Sequence, residues 1–427
     1  MSTGTMCIVN PLPQQYLTQG KGTGGVIKSQ PADFVVEEIP LYEPRGEGEH
    51  LYLRIEKTNV SHGELMSCLR KHFHVKEVNI GYAGMKDKAA VTRQTVSIHL
   101  LEDPPSVEID HERINVLWAR RHTNKIHRGH LRGNRFSIRI REVDPLSITA
   151  VKRCLDQLQR TGMPNYFGVQ RFGYRCNNQL LGAAIVRKDW QAMLDELLGA
   201  NGAPFPEYQR ERRELYDQGQ HGEAAQQWTP ANRNELIAAR AIRDGKSLHG
   251  ACHSFGPTPL SFWISALQSA VFNRVLDERL QQGTLLTLVE GDLAWKHDSR
   301  SVFAVTAAEM EGDELARRLG RFEISPSGPL CGSGMTRAAG SVDEAELRAL
   351  QATGVPIDAL MQVGYGLHGA RRAMRVPIAN VEFDSGVDER GNFVHLTFDL
   401  PRGAYATVLL REIMRTATDE TAKFAPR

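Results

Sequence analysis

No run of apolar residues in this sequence approaches the ~20 needed to cross a bilayer, which excludes a transmembrane helix. The opening residues, MSTGTMCIVNPLPQQ, lack the basic stretch and apolar core of a secretory signal, so none is expected. A C-x-x-C pair is missing too. Cys7, Cys68, Cys154, Cys176, Cys252 and Cys331 are scattered, and we expect them reduced and mostly buried, in a cytoplasmic setting. There is no G-x-G-x-x-G on a strand–helix turn, no P-loop and no plausible metal-ligand spacing, so nicotinamide, flavin, nucleotide and metal chemistry have no support here. Nor is there a large excess of one charge. Lys and Arg total 52 against 50 for Asp and Glu, so net charge does not single out nucleic acid.

What is present is ordinary globular texture. Hydrophobic residues make up 41% of the 427, which excludes global disorder and leaves material for two or three domains. Positive charge is locally concentrated. Between His111 and Arg141 lie nine basic residues (Arg113, Arg120, Arg121, Lys125, Arg128, Arg132, Arg135, Arg139 and Arg141) against one acid, Glu112. A basic block inside a balanced chain is the footprint of a phosphate-binding face, although a solvated surface has the same signature. On the first reading Lys125, Arg128, Arg132, Arg135 and Arg139 are candidate RNA contacts.

The first third alternates strands with a helix. Phe34 to Ile39 reads as a strand, and Leu51, Leu53 and Ile55 alternate with polar neighbours as a second. Ser61 and Glu64 form a capping box, and Leu65, Leu69 and Phe73 continue a helix to about His74. Val78 to Ala83 and Gln94 to Leu100 predict two more strands, joined by GMKDKAAVTR, so that Asp87 falls on a connection. Along Arg135 to Arg141, Phe136, Ile138 and Ile140 point inward and three arginines outward. Those arginines must be solvated, paired with acids or bound to an anion. A helix from Asp144-Pro145 ends at Gly162. After it come long polar helices, the charged run YQRERRELYDQGQHGEAAQQ, read as an exposed helix, and a Gly- and Pro-rich passage, ISPSGPLCGSG. Val394 to Leu400 alternate again, and Ala404 to Arg415 predicts a helix. We therefore expect one domain from residues 1–164 plus 378–427, with residues 165–377 inserted as a second, mostly helical domain.

Five segments carry the chemistry: KSQPADFVVE from Lys28, GMKDKAAVTRQ from Gly84, KIHRGHLRGNRF from Lys125, PNYFGVQRFG from Pro164 and PRGAYAT from Pro401. Together, in this order and across nearly the whole chain, they resemble the TruD family of tRNA pseudouridine synthases, which acts on uridine 13 of certain tRNAs. The resemblance implies an α+β fold. Its catalytic domain would hold a mixed, mostly antiparallel sheet, and the inserted domain would form a V-shaped cleft with it. It implies that Asp87 is the catalytic aspartate, and that Phe34, Asn134, Tyr405, Lys28 and Phe136 line or border the uridine pocket. It implies tRNA as partner, no cofactor and no metal; a monomer is expected. Three positions depart from the family pattern: Met85 for Leu, Cys176 for a common Gly, and Gln268 for a common Arg, a change expected to weaken one RNA contact.

The chemistry agrees with the resemblance. Pseudouridine formation breaks the N1–C1′ bond, turns the base and joins C5 to C1′. It needs an ionised carboxylate at the ribose, as nucleophile or as base, and a nearby cation to keep it charged. Lys28 is the first candidate for that cation, with Lys86 and Lys88 behind it. A flipped base needs a stacking ring, from Tyr405 or Phe34, and an amide such as Asn134.

Each residue also has a plainer reading. Asp87 between two lysines can be a surface ion cluster, Phe34, Phe136 and Tyr405 can be core aromatics, and Asn134 can sit in a turn. His122, His127 and His130 read as RNA-facing or surface residues, and KGTGG at Lys21 to Gly25 as a flexible loop. A non-catalytic RNA-binding or RNA-folding protein on the same scaffold is the competing function.

Overall fold

A computed structural model describes residues 10–362, 364 and 367–416. The chain divides into two compact units, one built from Thr18–Met163 with Val376–Thr416, the other from residues 10–17 with Pro164–Arg375. Residues 10–17, expected with the first domain, are tied to the second unit. There the Asn273 side chain donates to the Pro11 carbonyl at 2.8 Å and Asp277 accepts from the Gln14 backbone at 2.9 Å. A polar stretch without its own ladder finds its backbone partners on one helix.

The first unit is organised around an eight-stranded sheet. In chain order its elements are β1 (Phe34–Pro40), β2 (His50–Thr58), α1 (His62–His72), β3 (Ile80–Tyr82), β4 (Val91–His99), β5 (Ile114–His122), β6 (Leu131–Arg141) and α2 (Ile148–Thr161). Strands Ala379–Asp388 and Gly391–Pro401 and helix Ala406–Met414 complete it. The strand order is Ala379–Asp388, Gly391–Pro401, β6, β1, β4, β2, β5, with β3 also paired to β4. β1 and β4 run parallel, and the other described pairings of this sheet are antiparallel. The α1 capping box forms as expected, with Ser61 accepting from the Glu64 backbone. Gly162, at φ 79°, ends α2.

Register gives the sheet two chemically different faces, because successive side chains alternate. One face carries Phe34, Val36 and Glu38 of β1. Val36 is level with Thr92 of β4 and Phe136 of β6, and Phe136 in turn with Phe398. Glu38 is level with Asn134, and Thr92 and Gln94 are level with Lys57 and Ile55 of β2. The Leu53, Ile55, Val96 and Ile98 part of this face packs against Leu65, Met66 and Leu69 of α1. The opposite face carries Arg54, Glu56, Glu37, Arg93, Arg135, Arg139 and Asp399.

The second unit is mostly helical. Helix Pro257–Gln281 packs on helix Asn178–Arg187, where a side chain on Gly182 would meet the Trp263 carbonyl at 2.2 Å. The Gly- and Pro-rich passage begins as a strand. Ile324–Leu330 is an inner strand of a four-stranded sheet, buried along almost all its length. The charged run also differs from its reading as an exposed helix. It forms two helices, Arg210–Asp217 and His221–Gln227. Within the first, Arg213 is fully buried, its guanidinium held by the Leu197 and Gly199 carbonyls and the Gln209 side chain and stacked on Phe205 and Trp228.

Candidate active site

Asp87 sits in the connection between β3 and β4, on the side of the sheet that carries Phe34. Its carboxylate is about one-third exposed (33%), and Lys28 Nζ donates to Oδ2 at 3.0 Å. Lys28 adopts a left-handed backbone, φ 59°, and its ammonium lies 4.6 Å from the centre of the Phe34 ring. Aspartate, lysine and aromatic from two sequence segments thus form one group. Of the two other cations considered, Lys86 turns to a buried ion pair with Glu38 at 2.8 Å, and Lys88 is exposed.

Behind Asp87 the connection is anchored from the sheet. Lys57 Nζ donates to the Asp87 carbonyl at 3.0 Å and to the Val60 carbonyl at 2.7 Å. Glu38 joins the Lys86 ammonium to the Thr95 backbone N–H. Neither Lys57 nor Glu38 was singled out from sequence. A signal existed for Lys57: it falls in the apolar series Leu51, Leu53, Ile55, where a lysine breaks the pattern.

Phe34 and Phe136 are core residues. Both are buried, edge-on to each other at 6.4 Å, and Phe136 stacks on Phe398 at 5.4 Å. Asn134 is half-buried on the same face, and its side-chain oxygen, shielded from solvent, has no hydrogen-bond partner among the described residues. A buried carbonyl left open costs about 1–3 kcal/mol, so it is poised to accept an N–H from a ligand. Tyr405 flanks the start of helix Ala406–Met414, half-buried, just past the turn that follows Leu400, the partner of Asn134 across the ladder.

The basic block separates into two groups. Arg128 donates to the Tyr82 hydroxyl at 3.0 Å beside the β3 end, and Gly129 N–H donates to the Ala83 carbonyl at 2.8 Å, which fastens this loop next to the Asp87 connection. Arg132 is exposed on β6, in phase with Asn134. Lys125 reaches the Val78 carbonyl. Arg135 and Arg139, expected as RNA contacts, are placed differently. They project from the face away from Asp87, and both already face acids. Arg135 makes a two-pronged pair with Asp399, with bonds of 2.8 and 3.2 Å, and Arg139 lies 3.9 Å from Asp388. Arg141, expected outward, is buried between Asp33 and Asp388, both at 2.7 Å.

Three further expectations change. His122 is neither surface nor RNA-facing but buried against Tyr42 and Tyr52, and burial lowers its pKa. KGTGG is not a free loop: Thr23 and Gly24 donate to the Ile413 and Met414 carbonyls, and a side chain on Gly22 would meet the Met414 carbonyl at 2.0 Å. Gln268, where a surface-reaching contact was in question, is itself buried with its amide on the Cys331 carbonyl. Cys176, where Gly is common, holds φ 52°, the region glycine favours.

The tRNA pseudouridine synthase D (TruD) family profile matches residues 13–413. A tRNA pseudouridine synthase D from Geobacter metallireducens is 40% identical over 405 residues, covering 94% of this chain and 98% of that protein. Another from Syntrophotalea carbinolica is 39% identical over 404 residues, covering 94% and 99%. A crystal structure assigned to tRNA pseudouridine synthase D from Methanosarcina mazei superposes with a TM-score of 0.78 at 26% identity, covering 96% of this chain and 98% of that one. With likeness running through both units and nearly the full length, the chain belongs to the TruD family of tRNA pseudouridine synthases.

Proposed function

We propose that this protein isomerises a uridine of tRNA, at position 13, to pseudouridine, with Asp87 as the catalytic group. The observation that carries the reading is the assembly of Asp87, Lys28 and Phe34 on one sheet face, with the open carbonyl of Asn134 on that face. The Asp87 carboxylate attacks or deprotonates the ribose. The N1–C1′ bond breaks, the uracil turns, and C5 bonds to C1′. The hydrogen at C5 leaves and N1 gains one, so the product has the composition of the substrate and no electrons are exchanged. Lys28 donates to that carboxylate and places positive charge beside it. Asn134 Oδ1 accepts from the imide N–H of the flipped base. Tyr405, more open than the packed Phe34 and Phe136, is the stacking ring. Lys125, Arg128 and Arg132 meet the phosphates.

Catalysis by a single copy is supported by the origin of every group named here in one unit of one chain. A cytoplasmic setting is supported by the tRNA substrate; among the described residues no helix is long and apolar enough to cross a membrane. The test is incubation with total tRNA followed by a pseudouridine-specific chemical readout. Modification at a single tRNA position, lost in Asp87→Asn while tRNA still binds, is expected. Binding without product from the wild-type protein points to the non-catalytic RNA-binding alternative.

A further inference from the structure

The connection that bears Asp87 belongs to no strand or helix, so something must fix its main chain. Lys57 does this from below. It is fully buried on β2, opposite Thr92, and its ammonium joins the Asp87 carbonyl to that of Val60, the residue before the α1 N-cap. The charged and titratable groups facing it are Asp87 and Lys86 from the connection and His62 and Glu64 from α1. A buried ammonium is expensive, and an apolar side chain of similar length would fill the same space at lower cost. What the ammonium supplies that an apolar side chain would not is its grip on the Asp87 and Val60 carbonyls and its charge.

We propose that Lys57 is a positioning residue for the isomerisation: its buried ammonium fixes the main chain of Asp87 and supplies positive charge behind the carboxylate. This rests on the reading of Asp87 as the catalytic group. Burial lowers the pKa of Lys57 to about 8, with the charge of Asp87 opposing that shift. The cation is thus lost not far above neutral pH, which makes its role measurable.

The experiment is single-turnover pseudouridine formation with enzyme in excess over an unmodified tRNA, run over roughly pH 6 to 10 alongside tRNA Kd and thermal unfolding. Wild type is compared with Lys57→Met and Lys57→Arg. Misplacing a reacting group by about 1 Å can cost ~100-fold in rate, so Lys57→Met is expected to lose about that much with Kd changed less than about twofold. The wild-type rate should fall as pH passes about 8. Lys57→Arg, which keeps its charge, should recover part of the rate and lose that alkaline fall. A Lys57→Met rate within about threefold of wild type, together with a flat wild-type profile, overturns the inference alone. Should Lys57→Met not fold, the wild-type and Lys57→Arg profiles decide, and an identical alkaline limb in both overturns it. Absence of pseudouridine from the wild-type enzyme removes the Asp87 reading and this inference with it.

Discussion

The two faces of the central sheet divide its charge in opposite ways. On the face away from Asp87, opposite charges meet side by side. Arg54 pairs with Glu37, Arg93 with Glu56 and Arg135 with Asp399. Their valence is spent within the sheet. On the Asp87 face there are fewer charges, but they lie deeper and are aimed at one segment. Lys57 and Lys86 are buried, and the Asp87 connection is held between them and Lys28. Polar side-chain atoms of Thr92, Gln94 and Asn134 are also left open there among the described residues. Density of charge in sequence is therefore a poor guide to function; what matters is whether each charge has already met its opposite.

Six substitutions sharpen or break this contrast. The largest effect belongs to Asp87→Asn, which should lower single-turnover pseudouridine formation by about 10⁴-fold or more with tRNA affinity nearly unchanged, checked by rate and filter binding. Next is Arg141→Met. It strands the fully buried Asp33 without its cation, and breaking such a pair costs about 3–5 kcal/mol, readable as a lowered denaturant midpoint. The same variant should lose acid sensitivity. Arg141 is the main reason the Asp388 carboxyl is held at about 2 rather than 3.8. That contribution is complete above about pH 4 in the native protein and fades as pH falls toward 2. Third, Arg128→Gln and Arg132→Gln should each weaken tRNA binding several-fold and reduce the salt slope by about one. Smallest is the effect of Arg135→Gln or Arg139→Gln. Each should change tRNA affinity by less than about twofold, as expected for pairs already closed. A loss equal to that of Arg128→Gln would show that the arginine face meets RNA after all.

Much of the first unit was legible residue by residue. The strands at Phe34, Leu51, Gln94, Arg135 and Val394 follow from period-two alternation, and α1 from its capping box, because these signals act over a few residues. The second unit was harder. ISPSGPL, rich in Gly and Pro, forms an inner strand, and Arg213 reads as surface yet is buried, since the neighbouring carbonyls and aromatic rings that hold it come from other segments. Asp87, Lys28, Phe34 and Asn134, singled out through a pattern spread over the chain, lie on one face of the sheet. Lys57 was missed because it carries no motif.

From its sequence alone this protein has a set of local periods, a recognisable order of short segments and an aspartate on a connection, all properties carried by near neighbours in the chain. Tertiary structure decided which cation reaches the Asp87 carboxylate, which lysine grips its backbone and which arginines are already neutralised. Those outcomes depend on distances between residues tens or hundreds of positions apart. An ion pair between strands is set by register and face, and no single strand encodes its partner.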